Sequence, residues 1–104
     1  MLVLAMALAL MMAQQPTGTQ WSKIPLPTAD DFPGRAMEQG VSGSARVRCT
    51  VADEGHLTGC VVLSENPPGF GFGRAAIRVA QRAQIDTTTY TSETVETTIA
   101  FRLG

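Results

Sequence analysis

The sequence predicts an α+β domain: a small three-stranded antiparallel sheet with one short and one long helix packed on it. Three observations carry this. Two β-rich runs, Arg46–Val51 and Leu57–Leu63, flank a polar turn at Asp53-Glu54-Gly55-His56. A helical apolar period runs from Phe72 to Ile85, and an alternating run closes the chain from Glu93 to Leu103. Two paired strands, a helix and a further long strand make an antiparallel sheet with the helix across one face.

The hairpin holds both cysteines, one in each run. If Asp53 faces His56, then Cys49 falls opposite Cys60, and opposed strand residues have Cα atoms about 4.5–5.5 Å apart, which a disulfide spans. A three-residue turn with Gly55 in the left-handed region would shift the pairing by one residue. Because side chains alternate, that shift would send the two sulfurs to opposite faces. We expect the facing register and a Cys49–Cys60 disulfide, in a compartment that permits oxidation. In that register Thr58, Cys60 and Val62 share a face with Val47, Cys49 and Val51, and Leu57, Val61 and Leu63 lie on the other.

At 104 residues and a formal charge of −1, this is at most one domain. A nucleic-acid partner held by bulk charge is not expected. Met1 to Ala13 is unbroken apolar sequence. It is shorter than the roughly 20 residues that span a bilayer and suits the core of an export signal, cleaved after Ala9 or Ala13. Against this, no Lys or Arg precedes Lys23; the alternatives are the tail of a longer membrane anchor or a buried helix. The chain thus divides into residues 1–13 as signal or anchor, 14–29 as a Pro-containing linker, and 30–104 as the domain. The linker reaches roughly 50 Å at most, at about 3.1 Å per residue. Its Trp21 either packs on the domain or stands exposed as a binding aromatic.

Asp30 to Gly40 reads as a short helix, with Asp31 as cap, Pro33 early and Gly40 as stop. Asp30 and Asp31 fit the positive end of that helix better than an acid–base or metal pair. Ser64 to Gly73 is a loop whose glycines lack the Gly-Lys-Ser/Thr ending of a phosphate cradle; Phe70 and Phe72 are expected to plug the core edge. In the long helix Phe72, Ala75, Ala76, Val79, Ala80 and Ala83 fall on one side, and Arg74, Arg78 and Arg82 line the other as a solvated row. In the last strand Val95, Ile99, Phe101 and Leu103 share the buried face, and Glu96, Thr98 and Arg102 the open one.

No catalytic constellation assembles and no cofactor is called for. His56 is the one histidine. In the facing register it lies roughly 13 Å along the strand from the cysteines, at about 3.3 Å per residue, too far for a shared metal or a cysteine–base pair. A non-enzymatic module is expected.

Phe32-Pro33-Gly34-Arg35-Ala36, Gly40-Val41-Ser42-Gly43 and the Val47–Leu57 hairpin together resemble the TonB C-terminal domain. Ser64 to Ala76 resembles the loop-to-helix segment of its cysteine-containing, alphaproteobacterial type, and Thr97 to Leu103 resembles its closing strand. The resemblance implies a periplasmic domain coupling the inner-membrane proton gradient to outer-membrane receptors. It docks by adding the receptor's TonB box to its last strand, here Val95, Glu96, Thr97, Thr98, Ile99, Ala100, Phe101, Arg102 and Leu103. The segment before aromatic-Pro, here Asp30 and Asp31, also contacts the receptor in that family. Met1 to Ala13 has neither the Ser nor the His expected of the family's anchor helix, residues 14–29 are shorter than its Pro-rich spacer, and Ala83 to Asp86 stands where an aromatic and Arg-x-Pro are expected. The alternative is therefore a stand-alone exported interaction or structural domain without energy transduction. A retained N-terminus would add inner-membrane association, and an open strand edge also admits a homodimer.

Overall fold

A computed structural model describes residues 20–103. The export-signal expectation for Met1 to Ala13 lies outside them. In chain order come β1 (Trp21–Lys23), a 3₁₀ turn (Ala29–Asp31), α1 (Gly34–Glu38), β2 (Gly43–Val51), a second 3₁₀ turn (Asp53–Gly55), β3 (Leu57–Asn66), α2 (Phe72–Gln81), β4 (Gln84–Ile85) and β5 (Thr94–Phe101). The main sheet has the order β3-β2-β5 with both pairings antiparallel. The expected α+β architecture is the one observed.

Three expected elements end elsewhere, each for a local reason. The helix read from Asp30 to Gly40 is interrupted at Phe32, whose backbone is extended (φ −65°, ψ 129°). A residue before proline is pushed out of the helical region, so α1 starts only after Pro33. It stops where Gly40 turns left-handed (φ 67°). There Val41 N–H donates to Ala36 O and Gly40 N–H to Met37 O, the bond pair of a Schellman ending. The long helix ends at Gln81 rather than Ile85. Arg82 and Ala83 donate to Val79 and Ala80, tightening the last turn, and the chain leaves as β4. Ala83 stays buried and in phase, which is why the apolar period overruns the helix. In the stretch read as linker, Trp21–Lys23 forms a strand, Trp21 opposite Ile85, and Trp21 packs against the core.

The hairpin contains both register alternatives. Glu54 (φ 61°) and Gly55 (φ 86°) are left-handed, and Ala52 N–H donates to His56 O at 2.7 Å. This is the three-residue turn, so the expected Asp53–His56 facing is not formed: Val51 lies opposite Leu57 and Thr50 opposite Thr58. A bulge at Gly59 (φ 57°) then takes up one residue. Cys60 thereby meets Cys49 in a disulfide, with Cα atoms 4.0 Å apart. The three-residue turn itself puts Leu57 opposite Val51 and in the core, 4% exposed, not on the outer face expected for it. Gly55 admits no other residue cheaply: besides its φ, a Cβ there would collide with the Ile85 carbonyl. That approach arises because β4 passes the turn, with a bridge between His56 and Gln84.

The core lies between α2 and the sheet. Ala75, Ala76 and Ala80 are fully buried, and their small side chains let α2 sit close to the strands. Phe72 is also fully buried. It packs edge-on to Phe32 (6.0 Å between centroids), and tilted against Phe101 (5.5 Å) and Phe70 (6.3 Å). Its ring lies over Gly43: a Cβ there would run into the ring edge and come within 2.8 Å of Asn66 O. Gly43→Ala is therefore expected to lose about 1–3 kcal/mol, the range for overpacking a filled core, read as a lower urea midpoint at unchanged slope. Val95, Ile99 and Phe101 are buried as expected, but Leu103 lies beyond the strand and is 38% exposed.

Candidate functional site: an open strand edge

A three-stranded sheet in the order β3-β2-β5 leaves two outer edges, one on β3 and one on β5. They differ in quality. β3 breaks register twice against β2, at Gly59 and at Leu63. Bulges re-aim backbone groups, and natural edges use them to resist further pairing. β5 pairs with β2 without a break from Gly43↔Phe101 to Thr50↔Thr94. Its free side is a regular row of backbone donors and acceptors, except that Thr94 O already accepts from Tyr90 Oη at 2.6 Å.

The phase of that row follows from one bond. Val51 N–H donates to Glu93 O at 2.8 Å, one position beyond the strand. In an antiparallel ladder, directly bonded pairs alternate with unbonded ones. Val95, Thr97, Ile99 and Phe101 therefore turn their backbone groups toward β2. Thr94, Glu96, Thr98 and Ala100 turn theirs outward. Among the residues expected to bind a partner, Val95–Phe101 lie in β5, whereas Arg102 and Leu103 follow it. Leu103 N–H is already taken by Ser42 Oγ at 3.0 Å.

One ion pair braces the sheet face beside the edge. Glu96, read as solvent-facing, is only 9% exposed. It accepts from Arg46 Nε (2.9 Å) and Nη2 (2.6 Å) across the outer face of the sheet. Beside the C-terminal end of β5 is a cleft of about 220 Å³, lined by Pro27, Thr28, Ala29, Phe32, Phe101 and Arg102. The segment before Phe32-Pro33 thus forms one wall at the end of the edge.

Asp30 and Asp31 sit in the 3₁₀ turn of that wall and have different roles. Asp30 is exposed and Asp31 is buried. Asp31 Oδ2 accepts from Thr28 N (2.7 Å), Thr28 Oγ1 (3.2 Å) and Arg82 Nη2 (2.6 Å). Its carboxylate ties the turn to the end of α2 instead of capping α1. The bond from Arg82 holds the Asp31 pKa below the ordinary carboxylate value, against the opposing effect of burial. Sequence reasoning missed this pair because Arg82 reads as part of a solvated row. The spacing Thr28-x-x-Asp31, that of a capping box, was a signal for the bonds between Asp31 and Thr28 only.

A depressed native pKa contributes stability at neutral pH that disappears as pH falls from the usual carboxylate range, about 4, through the lower native value. Arg82 is half exposed, so the effect is modest, about 1 kcal/mol. Asp31→Asn is expected to melt below the parent at pH 7, with the difference closing in strongly acidic buffer; parallel melting curves at all pH would count against it.

Among the described residues no group of three His, Cys, Asp or Glu converges as a metal site. His56 is exposed, and both cysteines are consumed in the disulfide. What the described surface offers is a regular backbone edge with a cleft at one end, a geometry to which an extended segment can add as a strand.

The family profile described as Gram-negative bacterial TonB protein C-terminal matches residues 28–103, about three quarters of the chain. The chain belongs to this family. A protein of Caulobacter vibrioides, described only as uncharacterized, is 38% identical over 42 residues, which cover 40% of this chain and 42% of that protein. The chain therefore matches less than half the length of this relative.

Proposed function

We propose that this chain is a periplasmic, non-enzymatic docking domain. Its β5 edge takes up a TonB-box segment of an outer-membrane receptor as an added strand, in energy-coupled transport. The observation that supports this reading most directly is the contrast between the edges: β5 is long, regular and open, whereas β3 is bulged twice. Family membership supports an envelope setting, and the disulfide fits an oxidising compartment. No helix among the described residues is long and apolar enough to cross a membrane.

In this reading the incoming strand bonds to Glu96, Thr98 and Ala100 and to the N–H of Thr94, whose carbonyl is held by Tyr90, and its end reaches the cleft formed by Pro27 to Phe32, beside Asp30 and Arg102. Titration with TonB-box peptides is expected to shift the amides of those four residues more than those of Val95, Thr97, Ile99 and Phe101. Thr98→Pro removes one outward donor at an edge position that tolerates proline. It should weaken binding at least tenfold while the fold is retained. A titration that leaves β5 unperturbed would sink the proposal.

A further inference from the structure

The hairpin carries more than one register in a single ladder. Next to the turn, Val51 lies opposite Leu57 and Thr50 opposite Thr58. Past Gly59, Arg48 lies opposite Val61 and Val47 opposite Val62. Past Leu63, Arg46 lies opposite Ser64. Each step absorbs one extra residue of β3, and the first step falls beside the disulfide.

The side chains of this stretch do not choose among these registers by themselves. Val61, Val62 and Leu63 are consecutive apolar residues, 45%, 37% and 40% exposed. A one-residue shift puts Val61 for Val62 opposite Val47, where Val62 now packs close to Gly73 of α2, and Cys60 for Val61 on the exposed face opposite Arg48. Register is strongly specified only where the two faces of a strand differ in character. Packing does not hold the bulge at Gly59 either: a Cβ there would meet only Thr50 Oγ1, at 3.6 Å. The contact that demands Cys60 opposite Cys49 is the sulfur–sulfur bond.

We infer that the Cys49–Cys60 disulfide is a register lock on β3, and that its reduction lets the strand slip by one residue between Gly59 and Leu63. Released, the register set by the turn extends along the strand. Gly59 comes opposite Cys49, Cys60 opposite Arg48 and Val61 opposite Val47. The bulge at Gly59 disappears, and its extra residue joins the one at Leu63. Val61 turns from the outer face to the face of Val47, beneath α2. Cys60 turns outward beside Arg48.

The reductant is a dithiol. One of its thiolates attacks a cysteine sulfur, the Cys49–Cys60 bond breaks, and a mixed disulfide forms. The second thiolate resolves it. The dithiol leaves as its own disulfide, and two electrons and two protons remain on Cys49 and Cys60 as thiols. Slippage then carries the sulfurs to opposite faces of the hairpin, so oxidation requires the strand to slip back. Redox state and strand register are thereby coupled.

The test is the cross-strand Hα–Hα contact of Val47. Odd-numbered β2 residues bond toward β5, as Val51 does to Glu93, and so face β3 as unbonded pairs, with Cα atoms about 4.5 Å apart. The oxidised protein should show a Val47–Val62 cross-peak. With dithiothreitol it should be replaced by Val47–Val61, with iodoacetamide reacting at least tenfold faster at Cys60 than at Cys49. Cys49→Ala/Cys60→Ala should show the shifted cross-peak without reductant. Deleting Gly59 removes the extra residue, so that variant should keep Val47–Val62 whether oxidised or reduced. A reduced parent that retains Val47–Val62, detaches β3 or unfolds overturns the inference, as does a deletion variant that shifts like the parent.

Discussion

Phe72→Ala is expected to lower stability by about 3–5 kcal/mol, the usual cost of removing a buried phenylalanine. The value falls at the high end here because the site cannot collapse easily. Phe72 is fully buried, and its neighbours Phe32, Phe70 and Phe101 come from three separate parts of the chain. Its ring also rests on Gly43, which has no side chain to move into the space. Domains of this size have a total stability of only about 5–15 kcal/mol, so the variant is expected to be close to unfolding at 37 °C. Urea denaturation checks this. Phe70→Ala, at the half-exposed rim, should lose clearly less. Equal losses at the two positions would mean that the aromatic cluster does not organise the core as described.

Reduction of the Cys49–Cys60 disulfide is expected to destabilise the fold by roughly 2–3 kcal/mol, the chain-entropy estimate for a loop of this length. The bond joins residues separated by 11 positions, and Cys49 is 1% exposed. The melting temperature should fall by roughly 10–20 °C, at about 4–8 °C per kcal/mol for a domain of this size. A thermal scan with and without dithiothreitol measures it. If reduced β3 settles into its shifted register, part of the lost stability returns and the fall lies near the smaller figure. An unchanged melting temperature would mean that the hairpin holds its closed form without the bond.

The disulfide and the turn show how much could be read in advance. The pairing of the cysteines was legible because both lie in β-rich runs at nearly equal distances from a polar turn. The turn itself was not. Asp53-Glu54-Gly55-His56 permits two-residue and three-residue closures, and local chemistry does not separate them. The close approach of the Ile85 carbonyl to Gly55 belongs to the particular closure formed, and Ile85 is thirty positions further along the chain. The error of one residue at the turn was cancelled by a bulge at Gly59, a residue that reads from sequence only as a glycine in a strand.

The open edge was legible as an alternating last strand, but its phase was not. Alternation identifies Val95, Ile99 and Phe101 as buried. It is silent on which backbone groups point to β2 and which stay free, because that depends on how β5 meets β2. Asp31 is a similar case. Its place at the start of a helical stretch suggested a cap. Its partner is Arg82, 51 residues away, and no local pattern contains that distance.

The sequence by itself determined the element types, the two-helix α+β layout, the alanine face of α2 and the covalent staple. All of these follow from side-chain period, turn residues and cysteine spacing, which are local properties. Only the tertiary structure decided the register of the hairpin, the end of α2, the pairing of Asp31 with Arg82, and which sheet edge is regular enough to accept another strand. Each of those is set by contacts between segments far apart in the chain, where backbone geometry and close approach outweigh local preference.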